Sequence, residues 1–356
     1  MELTAKEYLK DYINKTDSII ANFFEQKTKQ AAKISPIAEQ MMQRYKDFMS
    51  GGKRLRGALI KLGYECFGGQ DEKAILETSI AIEIIHSFLL IHDDIMDHDD
   101  LRRGKPTIHR QFQNIHNEKY QRGDPSHYGI SLAIDLGDAG CFLAYEVLCN
   151  SSFPSEVKIR AIDLLNKILL NTAYGQALDV TYENCTDITQ SNVMQVHTHK
   201  TAYYTVTGPL SLGAVLAEAE NKQVKKIQDY GQPVGIAFQI RDDILGLYSD
   251  EKTLGKPIGS DIRENKNTLL IVKALEWANR KDLEFLKAHY GSPNLSQKDV
   301  ERVRRIIKIT GALEYSNKIG WELVKEGQSF IDGITSNFSC QRLLKSFADF
   351  MMERNS

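Results

Sequence analysis

The sequence predicts an all-α fold, and three observations carry that expectation. Apolar residues recur at the helical period: Leu76, Ile80, Ile84 and Phe88 step by four, with Ala81, Ile85 and Leu89 beside them. The prolines, at 36, 106, 125, 154, 209, 233, 257 and 293, punctuate long stretches that read as helices. Alternating apolar and polar runs of useful strand length are missing.

The elements follow in order. The first residues, "MELTAKEYLKDYINKTDSIIANFF", carry charges throughout and lack the basic start and continuous apolar core of a signal peptide. A strongly apolar helix is expected from about residue 73 to about 100. Helical spacing returns in 155–180, 187–218, 222–247, 266–290 and 297–327. Glycine, proline and polar content mark loops at "GGQD" (68–71), "QRGDPSHYG" (121–129) and "SDEKTLGKPIGSD" (249–261). The long polar interruption at 251–265 is the candidate for a mobile flap. With no repeat, low-complexity tract or linker, the expectation is a single domain over residues 1–356, a large helical bundle around a central substrate cavity.

Composition narrows the function. A hydrophobic share of 42% supports a core of useful size. A net charge of -2 gives no basic excess for nucleic acid and no acidic tail. Cys66, Cys141, Cys149, Cys185 and Cys340 are odd in number and widely spaced, without a C-x-x-C pair, so reduced thiols in a cytoplasmic protein are expected. No apolar run approaches the roughly 18 residues of a membrane span.

The chemistry concentrates in "LLIHDDIMDHDDLRRGKPTIH", from Leu89 to His109, which holds aspartates 93, 94, 97, 99 and 100 ahead of Arg102 and Arg103. On a helix, Asp93 and Asp97 share a face and Asp94 points about 100° away. A helix C-terminus is already negative, so this clustering calls for cations. Mg²⁺, which bridges carboxylates to phosphates, would serve. An aspartate cluster alone is more often a solvated helix end. "FQIRDDILGLYSD" (238–250) weakens that reading, because a second apolar stretch ends in Asp242 and Asp243, with Gln239 on the face of Asp242. Two such helices facing each other would line a metal pocket. "GGKRLRG" (51–57) adds Lys53, Arg54 and Arg56, and Lys200, Lys256 and Lys266 follow. Arginine forks and lysine point charges suit phosphate. Acidic and basic sets side by side point to two diphosphates, one held through metal and one directly.

These motifs, with "GQALD" (175–179), "HKT" (199–201) and "LGKPIGSDIRENKNTLL" (254–270), resemble the trans-isoprenyl diphosphate synthases, in the family's order over most of residues 50–270. The resemblance implies the isoprenoid synthase fold, a homodimer, and Mg²⁺ as cofactor, three ions bound with the allylic diphosphate. By the same resemblance Asp93 and Asp97 hold two ions and Asp242 the third, supported by Asp243 and Asp261. Gly246 stands where the family's second motif usually has another aspartate. Arg102, Lys200 and Lys266 would hold the allylic diphosphate, with Lys256 helping from the flap. Gly52, Lys53, Arg56, His86 and Arg103 would hold isopentenyl diphosphate. Thr201 and Gln239 would sit beside the reacting carbons, and Gln176 and Asp179 would belong to a further pocket motif.

The implied reaction is head-to-tail condensation, with the final proton lost to the departed diphosphate. Phe88, five residues before Asp93, in a motif with two residues between its second and third aspartates, goes in the family with twenty-carbon products. Geranylgeranyl diphosphate is therefore the expected product, with a farnesyl or longer-chain synthase as the alternative. A terpene cyclase would have no need of "GGKRLRG", and a silent partner subunit would be expected to lose the aspartates. Taken alone, His86 reads as a core histidine, His197 and His199 as helix-surface residues, Tyr203 and Tyr204 as packing, and Lys225 and Lys226 as a solvated face.

Overall fold

The computed structural model describes residues 3–249, 259–292 and 294–354, with the side chains of Ser260 and Asp261 outside that description. Helix α1 (Ala5–Ala32) starts at a capping box, in which Thr4 accepts from the Glu7 N–H and the Glu7 carboxylate accepts from the Thr4 N–H at 2.8 Å. Helices α2 (Pro36–Met49) and α3 (Leu55–Cys66) lead to α4 (Glu72–Met96), which is capped by Asp71. Nearly every residue of α4 from Ala74 to Ile85 is buried, because α3 and α6 (Pro125–Cys149) pack along it. Among the described helices α4 alone is long and apolar enough to cross a membrane, and 72% of its most apolar window is buried inside the bundle.

The expected helix to residue 100 stops at Met96. Asp97 caps it, and the chain then turns into a two-stranded ladder, β1 (Leu101–Arg102) against β2 (Lys105–Pro106), before α5 (Ile108–Lys119). Helix α7 (Ser155–Tyr182) follows. The 187–218 segment forms α8 (Gln190–Val196), an eleven-residue π-helix (His197–Thr207) and α9 (Gly208–Leu216). Such i→i+5 stretches are rare and concentrate at functional sites. Gly175 lets α7 meet this π-helix: a Cβ there would lie 2.1 Å from the Lys200 backbone nitrogen. Helix α10 (Asn221–Tyr248) runs along the other side of the π-helix.

Two long helices expected from periodicity are each divided. The 266–290 segment forms α11 (Leu269–Trp277) and α12 (Arg280–His289), because Asn279 takes an extended conformation and caps the second helix through the Asp282 N–H. The 297–327 segment forms α13 (Gln297–Ile309) and α14 (Ala312–Gln328), separated where Gly311 adopts φ 83°. Helix α15 (Phe338–Glu353) ends the described chain and packs against α10, α14, α1 and α3.

Candidate active site

One cavity of about 970 Å³ collects both aspartate motifs and most of the expected cations. Its walls come from the 51–56 segment, α4, the β1 hairpin, α7, the π-helix, α10, residues 264–268 and the end of α15. Asp93, Asp97, Asp242 and Asp243 all line it, as do Gly52, Lys53, Arg56, His86, Arg102, Arg103, Lys200, Thr201, Gln239 and Lys266. Lys256 lies outside the described residues, and so does the Asp261 side chain.

The helix-face argument separates the first aspartates correctly. Asp93 and Asp97 face the cavity, while Asp94 is fully buried and accepts from Arg102 Nε at 2.5 Å. Arg102 Nη2 lies 3.8 Å from Asp93 and 3.7 Å from Asp99. The adjacent Arg103 has φ 52° and donates to the carbonyls of Phe48 (3.3 Å) and Ser50 (3.0 Å). The two arginines diverge because of a turn after β1 rather than helical geometry.

Asp179 is the hinge of the lysine cluster. Lys200 Nζ lies 2.6 Å from its carboxylate and 3.6 Å from Asp93. Lys266 Nζ lies 2.8 Å from Asp97, 2.5 Å from Glu183 and 3.4 Å from Asp179. Gln176 donates to Asp93 at 3.3 Å. Burial works to raise the Asp179 carboxyl, but Lys200 and Lys266 overcome it and hold it below the usual range. Asp97 moves the other way, raised by burial and by the charge of Asp93. Burial opposes charge on both lysines, yet the surrounding carboxylates hold both above the ordinary lysine range.

The second motif is built differently. Gln239 donates to Asp243 at 2.7 Å and accepts from Thr201 at 2.8 Å, which places an oriented hydroxyl and amide at the cavity wall. His197 is buried, with Nε2 3.0 Å from Asp243, so the helix-surface reading of this histidine was wrong. The π-helix that begins at His197 packs against α10, and the imidazole lies in that contact. His199 accords better with that reading, since it stacks on Tyr203 and reaches Asn171 at 3.1 Å. Asp242 is paired with Arg354, at 2.7 Å.

The remaining cations form a third group. Arg56 donates to Thr205 at 2.8 Å, and its guanidinium lies 4.1 Å over the Tyr204 ring. The Tyr204 hydroxyl hydrogen-bonds His86 Nδ1. Burial, and then Arg56 and Arg103, push the His86 pKa well below its ordinary value, leaving a neutral imidazole among arginines. Glu83, buried on α4, accepts from the Gly57 N–H at 2.7 Å and so ties the start of α3 to the helix bearing His86.

Sequence reasoning missed Arg354, Glu183, Glu83 and the structural role of Tyr204. None belongs to a motif singled out in the sequence, and Arg354 stands two residues from the end of the chain. Its guanidinium is held by the Phe238 carbonyl (2.9 Å) and lies 3.8 Å over the Phe238 ring. Among the described residues no three acidic, histidine or cysteine side chains converge tightly enough to hold an ion alone. Phe88, Leu89 and His92 of α4 and Leu169 and Ala173 of α7 also line the cavity.

A helical chamber that presents two aspartate-bearing helices and separate cation groups defines the trans-isoprenyl diphosphate synthase class. The polyprenyl synthetase family model matches residues 35–308, and the chain belongs to that family. It is a trans-prenyltransferase, condensing isopentenyl diphosphate head to tail with allylic diphosphates. It is 33% identical to the geranylgeranyl diphosphate synthase of Sulfolobus acidocaldarius over 98% of both chains. A geranylfarnesyl diphosphate synthase of Natronomonas pharaonis is 32% identical, over 86% of this chain and 87% of that one. The crystal structure of a geranylgeranyl pyrophosphate synthase from Corynebacterium glutamicum, complexed with isoprenyl diphosphate and magnesium, superposes with a TM-score of 0.92 at 30% identity, covering 97% and 99% of the two chains.

Proposed function

We propose that this enzyme makes geranylgeranyl diphosphate, extending dimethylallyl, geranyl and farnesyl diphosphates in a Mg²⁺-dependent reaction. The observation that carries the reading is the division of charge in one chamber: Asp93 and Asp97 with Lys200 and Lys266 on one side, and Lys53, Arg56 and Arg103 with His86 on another.

The residues present fit Mg²⁺. Asp93, Asp97 and Asp242 offer only oxygen to the cavity, which suits a hard cation. Because no three such groups converge among the described residues, water and substrate phosphate would complete the coordination. Mg²⁺ bound there would act as a Lewis acid on the leaving diphosphate. Three ions accompany the allylic substrate in this reading. Arg102, Lys200 and Lys266 bind that diphosphate, with Lys256 assisting. Gly52, Lys53, Arg56, His86 and Arg103 bind isopentenyl diphosphate, and Arg56 is held in place by Thr205 and Tyr204. Thr201 Oγ and Gln239 Oε1 turn their dipoles on the carbons where positive charge develops. The proton lost at the end of each addition passes to the departed diphosphate.

The chain acts as one domain, residues 1–356, in a cytoplasmic homodimer. The apolar side chains that α6 and α7 leave exposed support the dimer: Phe142 is 74% exposed, Tyr174 63% and Leu170 54%. Labelled isopentenyl diphosphate with each allylic primer and Mg²⁺ tests the whole reading. Twenty-carbon diphosphate should dominate at every primer length. Products ending at fifteen carbons, or at twenty-five and beyond, would replace it with the alternative synthase.

A further inference from the structure

The end of the growing chain must stop against something, and Phe88, on α4 ahead of Asp93, lines the cavity. One turn further along α4, the His92 ring meets the Phe88 ring edge-on, with centroids 5.4 Å apart at 86°. His92 does not remain on its own helix. Its Nε2 lies 3.2 Å from the Ile134 carbonyl of α6 and 3.6 Å from Asp138 Oδ1. Two acceptors around Nε2 place the proton there, so the imidazole donates to the α6 backbone. The ring fits because residue 137 is glycine: a Cβ there would lie 2.3 Å from Nε2 and 2.5 Å from Cδ2.

We propose that His92 is a positioning residue for product length, bracing Phe88 against α6 so that the cavity floor does not yield. The proposal rests on the synthase reading above. An aromatic ring at a cavity edge swings between rotamers unless neighbours hold it. Phe88 lines the cavity, and His92, pinned across to α6, meets its ring edge-on and limits where it can turn. A floor that holds ends growth, whereas a floor that swings aside admits another five-carbon unit. Gly137 is the second half of the device, because the absence of a Cβ there leaves room for the imidazole to reach α6.

The test is product analysis at matched total turnover. His92→Ala should raise the ratio of products longer than twenty carbons to geranylgeranyl diphosphate roughly fivefold, the factor equivalent to about 1 kcal/mol. Gly137→Ala should shift products the same way as His92→Ala, because the new methyl would lie 2.3 Å from Nε2 and drive the imidazole off its α6 partners, releasing the brace. In a Phe88→Ala background, His92→Ala should add nothing, since the brace then has nothing to hold. Wild-type product ratios in an active His92→Ala enzyme, or a full additional effect in the Phe88→Ala background, would overturn the proposal. Should His92→Ala be inactive, Gly137→Ala decides, and an unchanged ratio there overturns it equally. A wild-type enzyme that makes no prenyl diphosphate would instead sink the synthase reading itself.

Discussion

Arg354 donates to Asp242 at 2.7 Å, so a residue two places from the chain's end closes on the carboxylate that begins the second aspartate pair. The guanidinium thus neutralises one of the carboxylates that the synthase reading gives to a metal ion. It is fixed there by the Phe238 carbonyl, and the Arg354 carbonyl in turn accepts from Arg241 at 2.9 and 3.0 Å.

Arg354 and a divalent cation should therefore compete for Asp242. Arg354→Ala is expected to lower the Mg²⁺ concentration that half-saturates turnover, measured with saturating allylic and isopentenyl diphosphates. An unchanged or higher requirement would show that the arginine does not guard this carboxylate.

The first aspartates should divide into catalytic and structural effects. Asp93→Ala and Asp97→Ala are expected to cut turnover roughly a hundredfold or more, the scale of losing a major electrostatic contribution to the transition state. Their melting temperatures should hold, because a repulsive carboxylate has been removed. Asp94→Ala leaves the Arg102 guanidinium buried without its 2.5 Å acceptor and should cost roughly 1–3 kcal/mol of stability. A full loss of turnover in Asp94→Ala at an unchanged melting temperature would reverse these assignments.

The anion sites should separate kinetically. Arg56→Ala is expected to raise KM for isopentenyl diphosphate roughly tenfold, the loss of one charge-assisted hydrogen bond. Lys200→Ala should act chiefly on the allylic substrate, because its ammonium sits between Asp93 and Asp179. Equal effects of both variants on both substrates would remove the division.

His86 makes a signed pH prediction. Its pKa is depressed in the folded protein, first by burial and then by Arg56 and Arg103, while an unfolded chain restores it to about 6.5. Below about pH 6.5 the unfolded state takes up a proton that the folded state refuses, so stability falls as pH falls. His109, also depressed by burial, adds the same sign. His86→Gln should flatten, without abolishing, the loss of stability between pH 7 and pH 5.5 in urea denaturation. A slope equal to wild type would show that His86 protonates freely in the folded enzyme.

The exposed face of α6 and α7 is open to a direct test of assembly. Phe142→Glu should shift sedimentation from dimer to monomer, because a carboxylate placed in an apolar interface is desolvated without a partner. A wild-type protein sedimenting as a monomer at all concentrations would refute the dimer.

The sequence by itself determined what depends on local spacing. The four-residue steps from Leu76 to Phe88 specify a buried helix, and the i, i+4 relation of Asp93 and Asp97 sets both on the cavity side while Asp94 turns inward. These follow from 3.6 residues per turn, which every α-helix shares. Motif chemistry likewise marked Lys200, Thr201, Gln239 and Lys266, and the cavity gathers all four. Only the tertiary structure decided what depends on approach between distant segments. Arg354 carries no motif, and it reaches Asp242 because α15 packs back along α10. Glu183 becomes a partner of Lys266 only where the 264–268 segment crosses the end of α7. His197 reads as surface because no ligand partner for it is evident in the sequence, but the packing of the π-helix on α10 brings it to Asp243. Periodicity also merged α13 with α14, since a glycine at φ 83° redirects the backbone without disturbing the apolar pattern on either side. Local periodicity carries the direction of a side chain from its own helix, and what that side chain meets is set by the packing of helices far apart in the chain.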